Sequence, residues 1–384
     1  MALKVLICGG GVAGPALAFW LVRNGHQVVI VERSPVLRAT GAQIDLRGQG
    51  IEAVKRMGLM DAVREKLVDE AGVSFIDAKG NVRGEVLANK SGKGAQSMTS
   101  EYEIMRGDLV RILYDATKDK VKYIFGQTVD GFAQNDQGVV ATFSDGSSDI
   151  FDLLVGADGQ GSQIRKHILP PDAPNEYHQL GVHMAYWFVP RIETDSNMCK
   201  SYLCPGGRTI LTRSHNQAET QLGSKKQFRD AGWQADRFIE GMDTTENWFC
   251  QNIVQIKTDT WHPGRVVLLG DAAYCPSPLS GMGTSSGLVG AYVLAGELAR
   301  SDDLSQAFQN YHQKMRPFID LVQPFNTGLL RWAIPNSQWE ISLLHLVIGL
   351  ACFLHIPQLL SRFLSDRDGD WKRPVYPELE VDRT

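Results

Sequence analysis

Short apolar runs stopped by glycine recur along the chain, and several lead into segments of helical spacing. Leu3–Cys8 is the first such run and reads as a buried strand. Ala16–Asn24 follows with helical composition. Pro15 suits its first turn, where a missing N–H costs nothing, and Gly25 closes it. Gln27–Val31 reads as a second strand, ending at Glu32. Further along, Ile51–Met57 reads as a helix, and Val73–Asp77 with Val82–Leu87 as a hairpin. Lys122–Phe125, Val129–Ala133, Gly138–Phe143, Asp149–Phe151 and Leu153–Gly156 read as short strands. The polar, Gly/Ser/Lys-rich stretch 88–100 reads as a loop.

The prolines at 170, 171 and 174 mark a boundary. Beyond them Val182–Val189, Ser201–Cys204, Thr209–Arg213 and Thr220–Leu222 alternate as strands of an antiparallel sheet, and Phe228–Met242 looks helical. Val266–Leu269 returns to the buried-strand pattern, and Ser286–Arg300 is an apolar helix rich in small residues. A helix from about Asp302 is expected to kink or break at Pro317. Ile341–Ile356 is apolar over about 16 residues, short of the ~20 a spanning helix needs. Membrane insertion is therefore not expected, and a buried helix or a substrate-side lid is. The charged, proline-bearing tail from Asp366 is expected at the surface.

The fold class implied is α/β. A Rossmann-like domain would take residues 1–72, 101–170 and 258–300, and an antiparallel-sheet substrate domain residues 73–100 and 171–257. C-terminal helices would occupy 301–365 and a tail 366–384. A chain of 384 residues has ample core for this. The net charge of -4 offers no electrostatic case for nucleic acid. Six scattered cysteines without a C-x-x-C pair point to reduced thiols and a cytoplasmic protein, and the N-terminus lacks the long apolar region of a signal peptide.

Three corners carry the candidate chemistry. Gly9, Gly11 and Gly14 form a G-x-G-x-x-G between strand and helix, with Val12 and Ala13 inside it. Gly9 makes the tight turn, Gly11 admits a pyrophosphate and Gly14 lets helix and strand pack. Glu32 lies 18 positions after the last glycine, where a ribose-binding acid is needed. This unit binds a dinucleotide, FAD or NAD. The second corner is Leu153–Gly156 running into Asp158-Gly159-Gln160-Gly161-Ser162. The third is the strand before Gly270-Asp271, followed by Pro278 and the glycines at 281, 283 and 287. A carboxylate at a strand's C-terminal end stands where open α/β sheets bind ligands. Zinc-spaced Cys/His sets, H-E-x-x-H, G-x-S-x-G and Walker A motifs are absent from the sequence. No metal is expected, and the hard chemistry falls to a cofactor.

Taken together, GGGVAG with Glu32, LLVGADGQGS and RVVLLGDAAYCPSPLSGMG resemble the class A FAD-dependent monooxygenases, the para-hydroxybenzoate hydroxylase-like family. GAQIDLRG, RGDL and GDAAYCPSP look most like its tetracycline-destructase branch and related fungal polyketide hydroxylases. The resemblance implies a GR2-type FAD domain. It implies FAD contacts from Gly9–Gly14, Glu32 with Arg33 beside it, Arg106, Asp158, Gly270 and Asp271. The isoalloxazine would lie between the loop of Pro278, Gly281, Met282 and Gly283 and that of Gln43–Arg47. It implies transient NADPH or NADH, O2 as oxidant, and oxygen delivery to an aromatic or polyketide-like small molecule through a flavin C4a-hydroperoxide. A monomer or weak dimer is expected. His183 and Arg213 are the candidate substrate contacts in the antiparallel insert. Relatives commonly carry His after GDAA, and Asn and Asp after the following G-x-G; this chain has Tyr274, Ser285 and Gly290, expected near the flavin. Those changes keep open an alternative, a flavin- or ligand-sequestering protein without catalysis. An NAD dehydrogenase would leave the Asp271 stretch unused, and a halogenase would need a W-x-W-x-I-P that the chain lacks.

Overall fold

The computed structural model describes residues 2–89, 101–170, 173, 176–214, 219–224, 228, 230–245, 248–325, 327–357, 359 and 371–380. Most of the 88–100 loop and His215 lie outside them. A parallel five-stranded sheet organises the first domain. Its order is Val266–Leu268, Leu153–Gly156, Lys4–Cys8, Gln27–Glu32 and Lys122–Phe125. Val5, Leu6, Ile7, Leu153, Leu154 and Val155 are completely buried, as strands covered on both faces must be. The helices Ala13–Arg23 and Gly283–Arg300 pack together in this core. The antiparallel strands Val129–Asn135, Gly138–Phe143 and Ser148–Phe151 add Val139, Ala141, Phe143 and Phe151 to it.

A seven-stranded sheet builds the second unit. Its order is Phe249–Ile256, Tyr177–Pro190, Glu219–Ser224, Arg208–Arg213, Met198–Cys204, Gly72–Ile76 and Val82–Leu87. All neighbours are antiparallel except Met198–Cys204 with Gly72–Ile76. The helix Ala235–Thr244 covers one face, packing Phe238 with Trp187, Val189, Ile210 and Leu222. It sits very close: a Cβ on Gly241 would lie 2.2 Å from Val189 Cγ1. A two-stranded ribbon, Gln43–Asp45 with Glu103–Met105, stands between the large sheets. Gln43 N donates to Gln221 Oε1 of the second unit.

Four expectations change. The insert helix begins at Ala235, not Phe228. The chain turns at Gly232 and Trp233, both at positive φ, which a helix does not permit. Pro317 sits inside an unbroken helix, Leu304–Val322. Met315, Phe318, Ile319 and Val322 are buried on its inner face, and that packing outweighs the lost hydrogen bond. The helix Gln338–Phe353 is not buried: Ile341 is its one buried residue, and it lies along the edge strand Val82–Leu87. No helix among the described residues is long and apolar enough to cross a membrane. Finally, the tail returns to the core. Tyr376 is fully buried against the Gly283–Arg300 helix, and a Cβ on Gly296 would stand 2.3 Å from its ring. Its hydroxyl bonds Glu297, which also holds Lys314.

Candidate active site

The glycine loop sets the first wall. Gly9 has φ +116°, and a Cβ there would lie 2.4 Å from Ala157 O and 3.1 Å from Asp158 Cα. So the first corner is pressed onto the second, which is possible only without a side chain. A Cβ on Gly14 would meet Gly9 O at 2.1 Å, whereas Gly11 would meet only Arg106 Nη2, at 3.5 Å. Gly14 is a packing glycine, and Gly11 faces room. Glu32 steadies the loop from the next strand: Gly10 N donates to Oε2 at 2.8 Å and Ser34 N to Oε1 at 2.9 Å. Arg33 beside it is exposed.

The third corner closes on the first. A Cβ on Gly270 would be 3.1 Å from Ala13 Cβ, and one on Gly287 3.5 Å from the same atom. Asp271 Oδ1 lies 3.8 Å from the Cβ position of Gly283. Burial raises the Asp271 carboxyl above its ordinary range, opposed by a hydrogen bond to Cys275 and by the Arg106 charge. Burial lowers the Arg106 guanidinium, with Arg38 adding to this while Glu32 and Asp271 oppose it. Arg106 Nη1 donates to Thr40 O at 2.9 Å and Arg38 O at 3.3 Å, which aims it across the crevice. The loop over the crevice meets the third corner too: a Cβ on Gly281 (φ +68°) would touch Arg47 Nε and Asp45 Oδ2, each at 3.4 Å. Arg47 pairs with Asp45 at 2.8 Å, and its N–H donates to Ser285 Oγ at 3.0 Å. Ser285, one of the departures, thus ties the two loops together.

Two helices begin here without a side-chain cap and without an acidic residue in the first turn: Ala13–Arg23 after Val12, and Gly283–Arg300 after Met282. Their unpaired N–H groups and positive dipole ends suit an anion or an electron-rich carbonyl. Asp158 uses Oδ2 to receive Gln163 N at 2.7 Å, while its buried Oδ1 has no hydrogen-bond partner among the described residues. Ser277, just before Pro278, is held at φ +83°, a strained angle for a residue with a side chain. An elongated group with a central diphosphate and a planar polar head, as in FAD, fits these residues: room at Gly11, anion-ready helix starts and an orphaned carboxylate oxygen.

Sequence reasoning overlooked Arg165. It is wholly buried in the helix Gln163–Ile168, yet Nη1 donates to Ala272 O at 2.7 Å and Nη2 to Gln160 O at 2.6 Å and Tyr177 Oη at 2.9 Å. Nε reaches Glu176 at 3.2 Å. It bolts the Asp158 corner to the Asp271 corner. The available signal was a lone arginine next to apolar Ile164 on a short helix just after D-G-Q-G-S. A second overlooked group is the carboxylate cluster around Arg213. That guanidinium lies 3.2 Å from Glu103 and 3.7 Å from Glu70, with Asp45 close by. Burial, with Asp45 and Glu70 adding and Arg213 opposing, leaves the Glu103 carboxyl pushed up to about 9.

The structure does not bring the two substrate candidates together. Arg213 and Gln221 lie on the sheet face turned to the ribbon. On the strand Tyr177–Pro190, Trp187 and Val189 face the covering helix. Alternation puts His183 on that same side, exposed, and Tyr186 on the side of Arg213. Arg213's charge acts on Tyr186, whose hydroxyl burial otherwise raises. Trp187 and Tyr202 are core residues. Tyr274 is likewise not at the crevice: its hydroxyl meets Tyr311 at 2.9 Å in the core.

Comparison with known proteins agrees with this geometry. A family model described as an FAD binding domain matches residues 2–324. The FAD-dependent monooxygenase asL4 of Sarocladium schorii is 38% identical, over 98% of this chain and 99% of that protein. The flavin-dependent monooxygenase eupH of a Phoma species is 38% identical, over 91% and 92%. The solved structure of the tetracycline destructase Tet(51) superposes with a TM-score of 0.78 at 28% identity, covering 98% and 99%. Klebsiella pneumoniae HpxO, solved with FAD and uric acid, shares the fold at a TM-score of 0.74 and 19% identity, over 94% and 96%. Glycine loop, paired acidic corners and uncapped helix starts thus stand in a chain that belongs to the FAD-binding-domain family and is a class A FAD-dependent monooxygenase.

Proposed function

We propose that the enzyme oxygenates a phenolic, polyketide-like small molecule, consuming NADPH or NADH and O2. The observation that carries this reading is the Tyr186–Arg213 face of the large sheet, set across the ribbon from the Gly281–Gly283 loop. Bound FAD supplies the electron transfer from the nicotinamide and the oxygen chemistry; one oxygen atom enters the product and the other leaves as water. The chain's own groups do the rest. The Ala13–Arg23 helix start, with Gly9–Gly14, holds the diphosphate. Glu32 with Arg33 serves the adenosine ribose, and Asp271 the ribityl chain, with Arg106 and Asp158 lending charge across the crevice. Gly270, Pro278, Gly281, Met282 and Gly283 would shape the pocket for the ring, and the following helix start would stabilise negative charge developing on it. Gln43–Arg47 closes the opposite side and excludes water.

On the substrate side, Tyr186 is the partner for a phenol and Arg213 the balance for its partial negative charge. His183 is not part of this reading. The names of the relatives, fungal monooxygenases and a tetracycline destructase, support a fused-ring phenol. The test is NADPH oxidation and O2 uptake by the FAD-loaded enzyme against a panel of phenols and naphthols. Stimulated uptake with one oxygen added to the product is expected. Tightly held FAD with no substrate-stimulated uptake would instead mark a flavin-sequestering protein.

A further inference from the structure

The exposed side chains of the Gln338–Phe353 helix are not scattered. Trp339, Leu343, Leu346, Leu350 and Phe353 succeed one another at spacings of four, three, four and three, with Val347 and Leu354 beside them. At 100° per residue these seven fall in a stripe about 120° wide. Their fractional exposures run from 49% to 79%. The helix cannot roll to hide them, because its opposite side is locked. A Cβ on Gly84 would lie 2.7 Å from Ile348 Cγ2 and 3.2 Å from Cys352 Sγ, and one on Gly349 2.8 Å from Arg83 O. Backbone meets backbone there, so the stripe faces outward.

The spacing identifies what covers it. A four-three repeat is the seam by which one helix receives another, knob into hole. An anionic membrane surface calls for a basic rim, and between Trp339 and Leu354 the one Asp, Glu, Lys or Arg is Glu340. We infer that this stripe is an interface for a second copy of the chain, two such helices packing antiparallel about a two-fold axis near Leu346. Seven side chains so exposed present roughly 900 Å², against the ~800 Å² that each partner of a stable pair covers. A two-fold axis makes the seam self-complementary, so Leu346, at the middle of the helix, meets its own counterpart.

Sedimentation equilibrium of the full-length, FAD-loaded protein tests this. A reversible monomer–dimer equilibrium is expected. The Leu346→Glu, Leu350→Glu double variant should weaken it on the order of a hundredfold or more, with flavin content and circular dichroism unchanged. Should that variant fail to fold, Leu346→Cys serves instead: mild oxidation should yield a covalent dimer joined from position 346 to position 346, located by mass spectrometry. A monomer at every concentration, a dimer indifferent to the double variant, or a cross-link elsewhere would overturn the inference. So would flotation with anionic vesicles, abolished by the double variant, in a protein that does not self-associate.

Discussion

Tyr274 and Gly290 are fitted to one another. A Cβ on Gly290 would stand 2.0 Å from the Tyr274 hydroxyl oxygen and 3.2 Å from the ring carbon bearing it. That hydroxyl bonds Tyr311, which in turn donates to Leu268 O at 3.2 Å, and the ring tilts against Trp261. Positions 274 and 290 are therefore one packing unit in the core, away from the crevice. Gly290→Ala should destabilise the protein by about 2 kcal/mol or more, as overpacking does. Tyr274→Phe alone should cost about 1 kcal/mol through the lost hydrogen bond. Combined, the second change should relieve part of the first, and urea denaturation of all four proteins in the cycle would show a coupling of about 1 kcal/mol. Additive losses would refute the fit.

The glycine loop predicts a dissociation between folding and binding. Gly14→Ala drives a methyl group into Gly9 O and should lower thermal stability even in the flavin-free protein. Gly11→Ala meets only the end of the Arg106 side chain. It should leave the flavin-free melt within about 0.5 kcal/mol of the parent and weaken FAD binding at least tenfold in a fluorescence titration.

Arg165→Gln removes the bolt between the two acidic corners. It strands Glu176 and takes the Arg165 donor from Ala272 O, while Gln160 O keeps only the Tyr177 hydroxyl. A loss of about 3–5 kcal/mol is expected, the usual result of halving a buried ion pair. FAD affinity should fall with it although Arg165 is not assigned a contact with FAD. An unchanged urea midpoint would remove Arg165 from this role.

How much of this was legible in sequence depends on how far each partner lies along the chain. The corners at Gly9–Gly14, Asp158 and Asp271 were readable because strand, turn and helix start are local patterns. Arg165 was not, because its partner Ala272 is 107 residues away. The Glu103–Arg213 pair spans 110. The face on which His183 sits could not be counted from the strand's start, because the pairing register shifts between Gln179 and Val182. Tail burial was hidden for another reason: charge and proline describe Trp371–Glu380 on average, whereas one tyrosine fitting against one glycine decides its place.

Glu103 predicts a pH dependence. In the folded protein Glu103 and its neighbour Glu70, both raised by burial, titrate as a pair that keeps a proton to about pH 9, while an unfolded chain releases it near 4.5. The folded state thus binds more protons in that window, so this contribution to stability is whole below about pH 4.5 and is lost as pH rises towards 9. Urea midpoints of the FAD-saturated enzyme should fall between about pH 5 and pH 9, and Glu103→Gln should flatten the slope. An equal slope in the variant would place the titrating group elsewhere.

The anchoring of Tyr376 against Gly296 has a consequence for biosynthesis. The cofactor domain draws its central strand from residues 4–8, its edge strand from 266–268 and its last plug from position 376. A ribosome must thus have passed position 376 before the domain whose central strand is residues 4–8 can be sealed. Until that moment the Gly283–Arg300 helix keeps an uncovered patch, and the nascent polypeptide depends on chaperones or speed to keep it from sticking.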